Sequence, residues 1–385
     1  MKKCTLGELF GQFYLQLKEK GIKHGGAYFF WKPLYIPVDP DIIKHILIRD
    51  FENFPNHGLY ISEDDPLSGH IFNMENAKWR TLRAKIPPAF TSAKMRKMFL
   101  IMERMTKQFN KNLDVYAEGG IPIDIKMELS KFTTDIILAC ALGVESNTMK
   151  NENQEMLEHL RSFFDYQWNI YKNTMVVTIP RHILQKFKKD KQSCRGDITD
   201  ILIRLTEKRE NEHDFSGKGI MEPLNFGEFS AQMLVFMAAG FETSSSVLTF
   251  AMYELAKNIE CLTKLRKEIN SILDKHDNKI TYDAVMEMKY LDQVVDETLR
   301  LYPVFPILPR VCVNDYNVPG TNFTIEKNTF VLVSNMGIQR DPEYFPNPDK
   351  FDPNQFSSEN KSKRPFIAHL PFGEGSRICV GKAYS

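Results

Sequence analysis

Apolar residues recur at three- and four-residue spacing along most of the chain, the period of one helix face. That pattern predicts helices near 76–85, 92–118, 126–142, 153–173, 196–210, 225–257, 259–275 and 290–302. A further helix lies in TLGELFGQFYLQLKEKG (5–21), with Thr5 as the cap signal and Gly21 as the stop. GAYFFWKPLYIPV (26–38) is rich in β-formers and predicts two short strands broken at Lys32–Pro33. Asp39 and Pro40 then suit the cap and first position of another helix. The segment 225–257 stands apart, because a mean helix has about a dozen residues. It holds no proline, and MLVFMAAGFETSSS (233–246) at its centre is apolar on nearly every side. A helix of that kind is expected to be buried and to cross the core. Residues 309–334 alternate β-prone runs with turns at Asn314–Asp315, Pro319–Gly320 and Lys327–Asn328. From 337 to 369 the chain is proline-rich and irregular. The expected fold is mainly α: one large helical domain over 1–385, a small β-sheet region and a long central helix, with no repeat and no linker.

Composition narrows the function. At 43% apolar and 12% aromatic, the 385-residue chain can bury a sizeable core. Its 50 basic and 49 acidic residues leave a net charge of +1, without the basic excess of a nucleic-acid binder. The cysteines are Cys4, Cys140, Cys194, Cys261, Cys312 and Cys379; no C-x-x-C occurs, which argues against a zinc ribbon or a disulfide framework. This is the usage of a reducing compartment. The first five read as buried small apolar residues or surface thiols. No apolar run reaches the ~18 residues of a membrane span.

PFGEGSRICVG (371–381) carries the first candidate chemistry. Gly373, Gly375, Arg377, Cys379 and Gly381 fall at every second position, so in an extended segment they would share one side. A cysteine among exposed amides and beside an arginine favours the thiolate, the metal-binding form. A buried cysteine in a glycine-rich turn is the plainer reading of the same spacing. Trp79-x-x-x-Arg83 puts two donors on one helical face, suited to a carboxylate, or else marks an amphipathic surface helix. In Ala239-Gly240-Phe241-Glu242-Thr243 the Thr243 hydroxyl can compete for the Ala239 carbonyl and bend the helix. The adjacent acid and alcohol could relay protons; a packed Gly/Ala crossing is the alternative. Glu297-x-x-Arg300 is an ion pair at i,i+3.

Together these stretches resemble cytochrome P450. Phe372, Gly375, Arg377, Cys379 and Gly381 match the haem-binding signature F-x-x-G-x-R-x-C-x-G, and four further family stretches follow in the family's order. KWRTLRAKIPPAFTSAKM, AAGFETSS and DETLRLYP look closest to the microsomal, insect detoxification branch. The resemblance implies haem b (iron protoporphyrin IX) with Cys379 as its thiolate ligand. Phe372 would shield the sulfur, and the amides beyond Cys379, towards Gly381, would tune it. Trp79, Arg83, Arg310 and Arg377 would hold propionates. Glu242 and Thr243 would deliver protons to bound oxygen, and Glu297–Arg300 would be a structural pair under the cysteine loop. The family completes that pair with an arginine where this chain has Gln355, so a buried positive charge is expected to be missing.

The implied activity is insertion of one oxygen atom from O2 into a lipophilic substrate, with electrons from NADPH through a reductase. Lys78, Arg80, Arg83, Lys85, Lys94, Arg96 and Lys97 form a basic window without an acid, a candidate docking face for NADPH–cytochrome P450 reductase and a second donor such as cytochrome b5. FPNHGLYISEDDPLSGHIFNM, RSFFDYQWNIYKNTMVV and VFPILP lie where the family lines its pocket. Against the family pattern, the N-terminal anchor and the C-terminal helix and β region are expected to be absent. The full-length relative is expected on the cytoplasmic face of the endoplasmic reticulum membrane. Two rivals remain at this point: a truncated, non-catalytic haem- or partner-binding product, and a peroxide-rearranging relative, which the Glu242–Thr243 pair argues against.

Overall fold

The computed structural model describes residues 5–29, 31–59, 61, 65–162, 198–206 and 223–382. In chain order its elements are α1 (Leu6–Glu19), β1 (His24–Phe29), β2 (Lys32–Pro37), α2 (Pro40–Lys44), α3 (Asn76–Lys85), α4 (Ser92–Gly119), α5 (Ile125–Ile137), α6 (Gln154–Ser162), α7 (Ile198–Arg204) and α8 (Phe226–Lys257). They continue with α9 (Ile259–Lys275), α10 (Tyr282–Met286), α11 (Lys289–Leu301), β3 (Leu308–Val311), β4 (Tyr316–Asn317), β5 (Thr324–Ile325), β6 (Phe330–Val333), α12 (Asn335–Ile338) and α13 (Ser358–Ser362). The helix expected at 196–210 ends at Arg204, with a turn at 205–206; the remainder of it and of the one expected at 153–173 lies outside the described residues, as do Cys4, Cys194 and most of RSFFDYQWNIYKNTMVV. The chain divides into two compact units, Met1–Gly58 with Phe250–Lys382, and Leu59–Thr249.

Local chemistry explains the element ends in the first unit. Thr5 and Glu8 form a reciprocal capping box at the start of α1. Gly21 leaves the helix at φ +67°. Asp39 accepts from the amides of Asp41 and Ile42 at the start of α2. The four-stranded sheet has the order β1-β2-β6-β3, with β2–β6 parallel and the other pairs antiparallel. The break between β1 and β2 is not at Lys32–Pro33. Lys32 pairs with Phe29 and Pro33 with Tyr28, so the strands reverse before Lys32. Proline is tolerated inside β2 because the ladder to β6 involves only Leu34 and Tyr35. Asn56 bridges Val311, which lays the backbone at 53–58 along β3. Gly58 is required there: its φ is +72°, and a Cβ would meet Val311 at 2.3 Å. Tyr14, Ile43, Ile46, Leu47, Phe54, Val331, Val333 and Phe345 form the centre of this unit's core.

The second unit is built on α8. Phe229, Met233, Leu234, Met237 and Phe241 pack with Ile198, Leu202 and Ile203 of α7 and with Leu138, Ala141 and Leu142 just beyond α5. By length and composition α8 could cross a membrane; its apolar residues serve instead as a core face. It is not buried on every side, as its apolar centre suggested. Ala239 is exposed in mid-helix, and Thr243, one turn on, is only partly covered.

His369 should make the first unit acid-sensitive. Its ring lies 4.6 Å from that of Phe356, and its Nε2 is buried without a partner. Burial, reinforced by the charges of Lys361 and Arg364, holds its pKa down to about 3. An unfolded histidine protonates near 6.5. Below that pH the unfolded chain binds the extra proton, so stability falls as pH falls towards the folded value. Between pH 7 and pH 5 this residue should account for a loss of about 2 kcal/mol. Unfolding of wild type and His369→Gln at both pH values checks this: the variant should lose less by about that amount, and an equal loss would exclude His369 as the source.

Candidate active site

The 371–381 stretch is a turn rather than a strand. Gly373 and Gly375 have φ of +69° and +75°, and Gly375–Arg377 forms a single helical turn. The alternating positions therefore do not share one extended face. A Cβ on Gly375 would come within 2.0 Å of the Leu47 carbonyl oxygen, so the turn lies directly on the backbone after α2. The Cys379 amide donates to the Phe372 carbonyl at 2.9 Å and closes the loop. Cys379 is exposed at its rim, whereas Cys140 and Cys312 are buried and Cys261 is partly covered. Burial pushes the Cys140 thiol up to about 12 and the Cys312 thiol up to about 11. Those two are held as neutral thiols, and the plainer reading, of a buried cysteine in a turn, does not hold for Cys379. Among the described residues no three His, Cys, Asp or Glu side chains gather to hold a metal ion.

Two arginines of the same unit accompany the loop. Arg377 is half-buried and donates from Nε to the Pro55 carbonyl at 2.8 Å. Arg310, on β3, is 2% exposed. Its Nη1 donates to the carbonyl of its neighbour Pro309, its Nε has no partner, and no carboxylate among the described residues pairs with it. Burial drives its pKa down to about 10. A buried cation without an anion is costly. The site has the chemistry of a receptor for a ligand that carries carboxylates.

The second unit supplies the remaining candidates. On α3, Trp79 is buried with Leu82, and Arg83 sits half-buried one turn beyond Trp79. On α8, Thr243 Oγ1 donates to the Ala239 carbonyl at 2.5 Å, as the spacing suggested, but the helix continues unbroken through that turn. Gly240 is needed for packing: a Cβ there would meet Ile137 of α5 at 2.5 Å. Glu242 Oε1 accepts from Lys126 Nζ at 2.8 Å and from Ser246 Oγ at 3.1 Å. Lys126 also donates to Ser245 and Ser246, both at 2.9 Å, which uses all three of its N–H groups. Lys126 was not legible as a site residue, since it lies 116 positions from Glu242 with no motif around it. In the basic window, Lys78 is paired with Glu228.

The Glu297–Arg300 pair is in the first unit, fully buried. Arg300 donates to both Glu297 oxygens at 2.6 and 2.8 Å, and to the carbonyls of Gln339, Pro348 and Lys350 at 3.0, 2.7 and 3.2 Å. All five of its N–H groups are used. The geometry is of a support, not of a reacting group.

The chain matches the cytochrome P450 family model over residues 2–384. It belongs to the cytochrome P450 family. It is 35% identical to cytochrome P450 6a8 of Drosophila melanogaster over 99% of this chain and 80% of that protein. It is 36% identical to cytochrome P450 6k1 of Blattella germanica over 92% and 74%, and 35% identical to cytochrome P450 6A1 of Musca domestica over 99% and 79%. The protein is thus an oxidoreductase, a P450 monooxygenase of this insect type, and proteins of the family bind haem, iron protoporphyrin IX. The residues of the first unit fit that group on two counts: an exposed cysteine that could donate to its iron, and a buried arginine without an anion among the described residues, suited to a propionate.

The Arg310 account predicts opposite effects on two measurable quantities. Arg310→Met should stabilise the haem-free protein by about 1–3 kcal/mol, because it removes a buried unpaired charge. The same change should speed haem loss to an acceptor protein. A variant whose haem-free form is destabilised would show that Arg310 is already compensated within the chain.

Proposed function

We propose that this P450 inserts one oxygen atom of O2 into a lipophilic small molecule and releases the other as water, with electrons from NADPH delivered by a separate reductase. Haem, when bound, supplies the iron centre for oxygen reduction and transfer. Cys379 Sγ would be its protein ligand, in a loop closed by Phe372 and passing on through Gly381. Arg310 and Arg377, and Trp79 and Arg83 on α3, would hold its carboxylates. The observation that carries the reading is the exposed Cys379 in a unit whose Arg310 lacks an anion.

Thr243 and Glu242 would manage protons. The Thr243 hydrogen is engaged by the Ala239 carbonyl, which leaves the oxygen lone pairs to accept. Thr243 therefore suits holding a proton donor in place more than giving up its own proton. Glu242 Oε1 is engaged by Lys126 and Ser246, so a proton carried on that oxygen has to displace one of them. The basic residues from Lys78 to Lys97 would steer an acidic reductase, with cytochrome b5 as a further donor; Arg80, Arg96 and Lys97 are exposed, while Lys78 is offset by Glu228. The family likeness supports residence at the endoplasmic reticulum membrane, on its cytoplasmic face. The aromatic and apolar stretches at 54–74 and 304–309 support a lipophilic substrate, such as a xenobiotic or an endogenous lipid or hormone.

Two measurements test this reading. The reduced, CO-bound protein should show its Soret band at the thiolate position, and Cys379→Ser should lose that band. A thiolate band that survives Cys379→Ser would assign the ligand elsewhere. With reductase and a turned-over substrate, Thr243→Ala should keep consuming NADPH while product per NADPH falls on the order of 10²-fold. Undiminished coupling would remove Thr243 and Glu242 from proton delivery.

A further inference from the structure

Arg364 occupies an unusual place in the first unit. Its guanidinium lies 4.3 Å above the Phe345 ring and 5.0 Å from the Phe356 ring, and it donates to the Gln355 carbonyl. Phe345 is fully buried and also carries Arg300 at 4.9 Å, so two guanidinium groups share one ring. Burial lowers the pKa of Arg364, while the charges of Glu297 and Asp296 raise it and that of Arg300 lowers it. Gln355, where a buried positive charge was expected to be missing, makes no side-chain hydrogen bond among the described residues. Only its backbone takes part, accepting from Arg364 and donating to the Asp352 carbonyl at 3.0 Å. Glu297, in turn, accepts from the Asp352 amide at 2.8 Å. The turn Pro353–Phe356 is thus held at one end by Glu297 and at the other by Arg364.

The chain beyond Arg364 leads to the cysteine. Ile367, Ala368 and Leu370 enter the same core cluster as Phe345 and Phe356. The Gly373 amide then donates to the Leu370 carbonyl at 3.1 Å, and the Cys379 amide to that of Phe372. We propose that Arg364 is a positioning residue for Cys379: from nine positions along the chain it supplies the positive charge that Gln355 does not, and it clamps the approach to the cysteine loop onto the Glu297–Arg300 support. The proposal rests on the reading of Cys379 as the haem ligand.

The test uses the haem-loaded full chain and five forms: wild type, Arg364→Lys, Arg364→Gln, Gln355→Arg and the swap Arg364→Gln/Gln355→Arg. Two readouts are needed, the rate of haem transfer to apomyoglobin and the division of the reduced CO-bound Soret band between thiolate and non-thiolate positions. Arg364→Gln should speed haem transfer about tenfold, the fold-change that a partly desolvated cation–π contact corresponds to, and should move part of the band to the non-thiolate position. Arg364→Lys keeps the charge but not the planar stacking, so it should fall between the two. The swap should return both readouts towards wild type, and Gln355→Arg alone should not slow haem loss, because Arg364 already fills the role. Wild-type haem transfer and an unmoved band in Arg364→Gln would overturn the proposal, as would a swap no better than that single variant. If Arg364→Gln does not fold, Arg364→Lys decides by the same readouts. A wild-type protein without a thiolate band would instead refute the assignment of Cys379, which separates the two failures.

Discussion

The fully buried Glu297–Arg300 pair is the constraint on which the cysteine-bearing unit is arranged. Two ions taken out of water cost several kcal/mol each unless every donor and acceptor is met. Arg300 meets its need by drawing in the carbonyls of residues 339, 348 and 350. That stretch has almost no ladder or helix of its own, so the guanidinium takes the place of regular structure. Glu297 returns the constraint by accepting from the Asp352 amide, which starts the turn that ends at Phe356. Phe356 and Phe345 are in the same core as Ile367, Ala368 and Leu370, and Leu370 begins the hydrogen bonds that close the Cys379 loop. The position of the thiol is thus traceable, contact by contact, to an ion pair on α11.

The arginines of this unit differ in how far the chain itself satisfies them. Arg300 is complete: each N–H has an acceptor and its charge has Glu297. Arg340 pairs with Asp349 at 2.8 Å. Arg310 is almost as deeply buried as Arg300, yet among the described residues it has a single bond, to the adjacent carbonyl, and no acid. Burial is thus nearly equal in the two arginines and satisfaction is not: Arg300 is fully bonded within the fold, and Arg310 is not. In the sequence, Glu297 three positions before Arg300 marks its partner, whereas Arg310 stands in no local motif and is singled out by the family resemblance alone.

Most helices were legible because their apolar period and caps are local. Ile259–Lys275 ends where the pattern placed it, and Thr5, Gly21 and Asp39 act as their residue types suggest. The misreadings came where tertiary contact overrides a local rule. Pro33 looked like a strand break, but its missing amide falls outside the β2–β6 ladder. The alternating positions at 373–381 would share one side only in an extended segment, but the close approach of Gly375 to the Leu47 carbonyl needs a positive-φ turn. The site was legible only in part for a related reason. Cys379, Trp79, Arg83, Glu297 and Arg300 stand in motifs of fixed spacing. Lys126 and Arg364 act on residues far away or through aromatic rings, and no spacing announces them.

The long helix shows how one element holds a packed side and an open side. Gly240 is pressed against Ile137, the Phe241 carbonyl accepts from Thr133 at 3.1 Å, and Glu242 is tied to Lys126. These contacts fix α8 to α5. Ala239 and Thr243 lie one turn apart on the open side. Successive residues of a helix are about 100° apart. Glu242 and Thr243 therefore leave the helix in different directions, although they are neighbours in sequence. The hydroxyl is set at the opening by the helix itself. The carboxylate is held through Oε1 by a lysine whose other two donors are anchored on Ser245 and Ser246. In a proton relay built from this pair, the tether between α5 and α8 sets the cost of the acid's participation, and the alcohol is always in place.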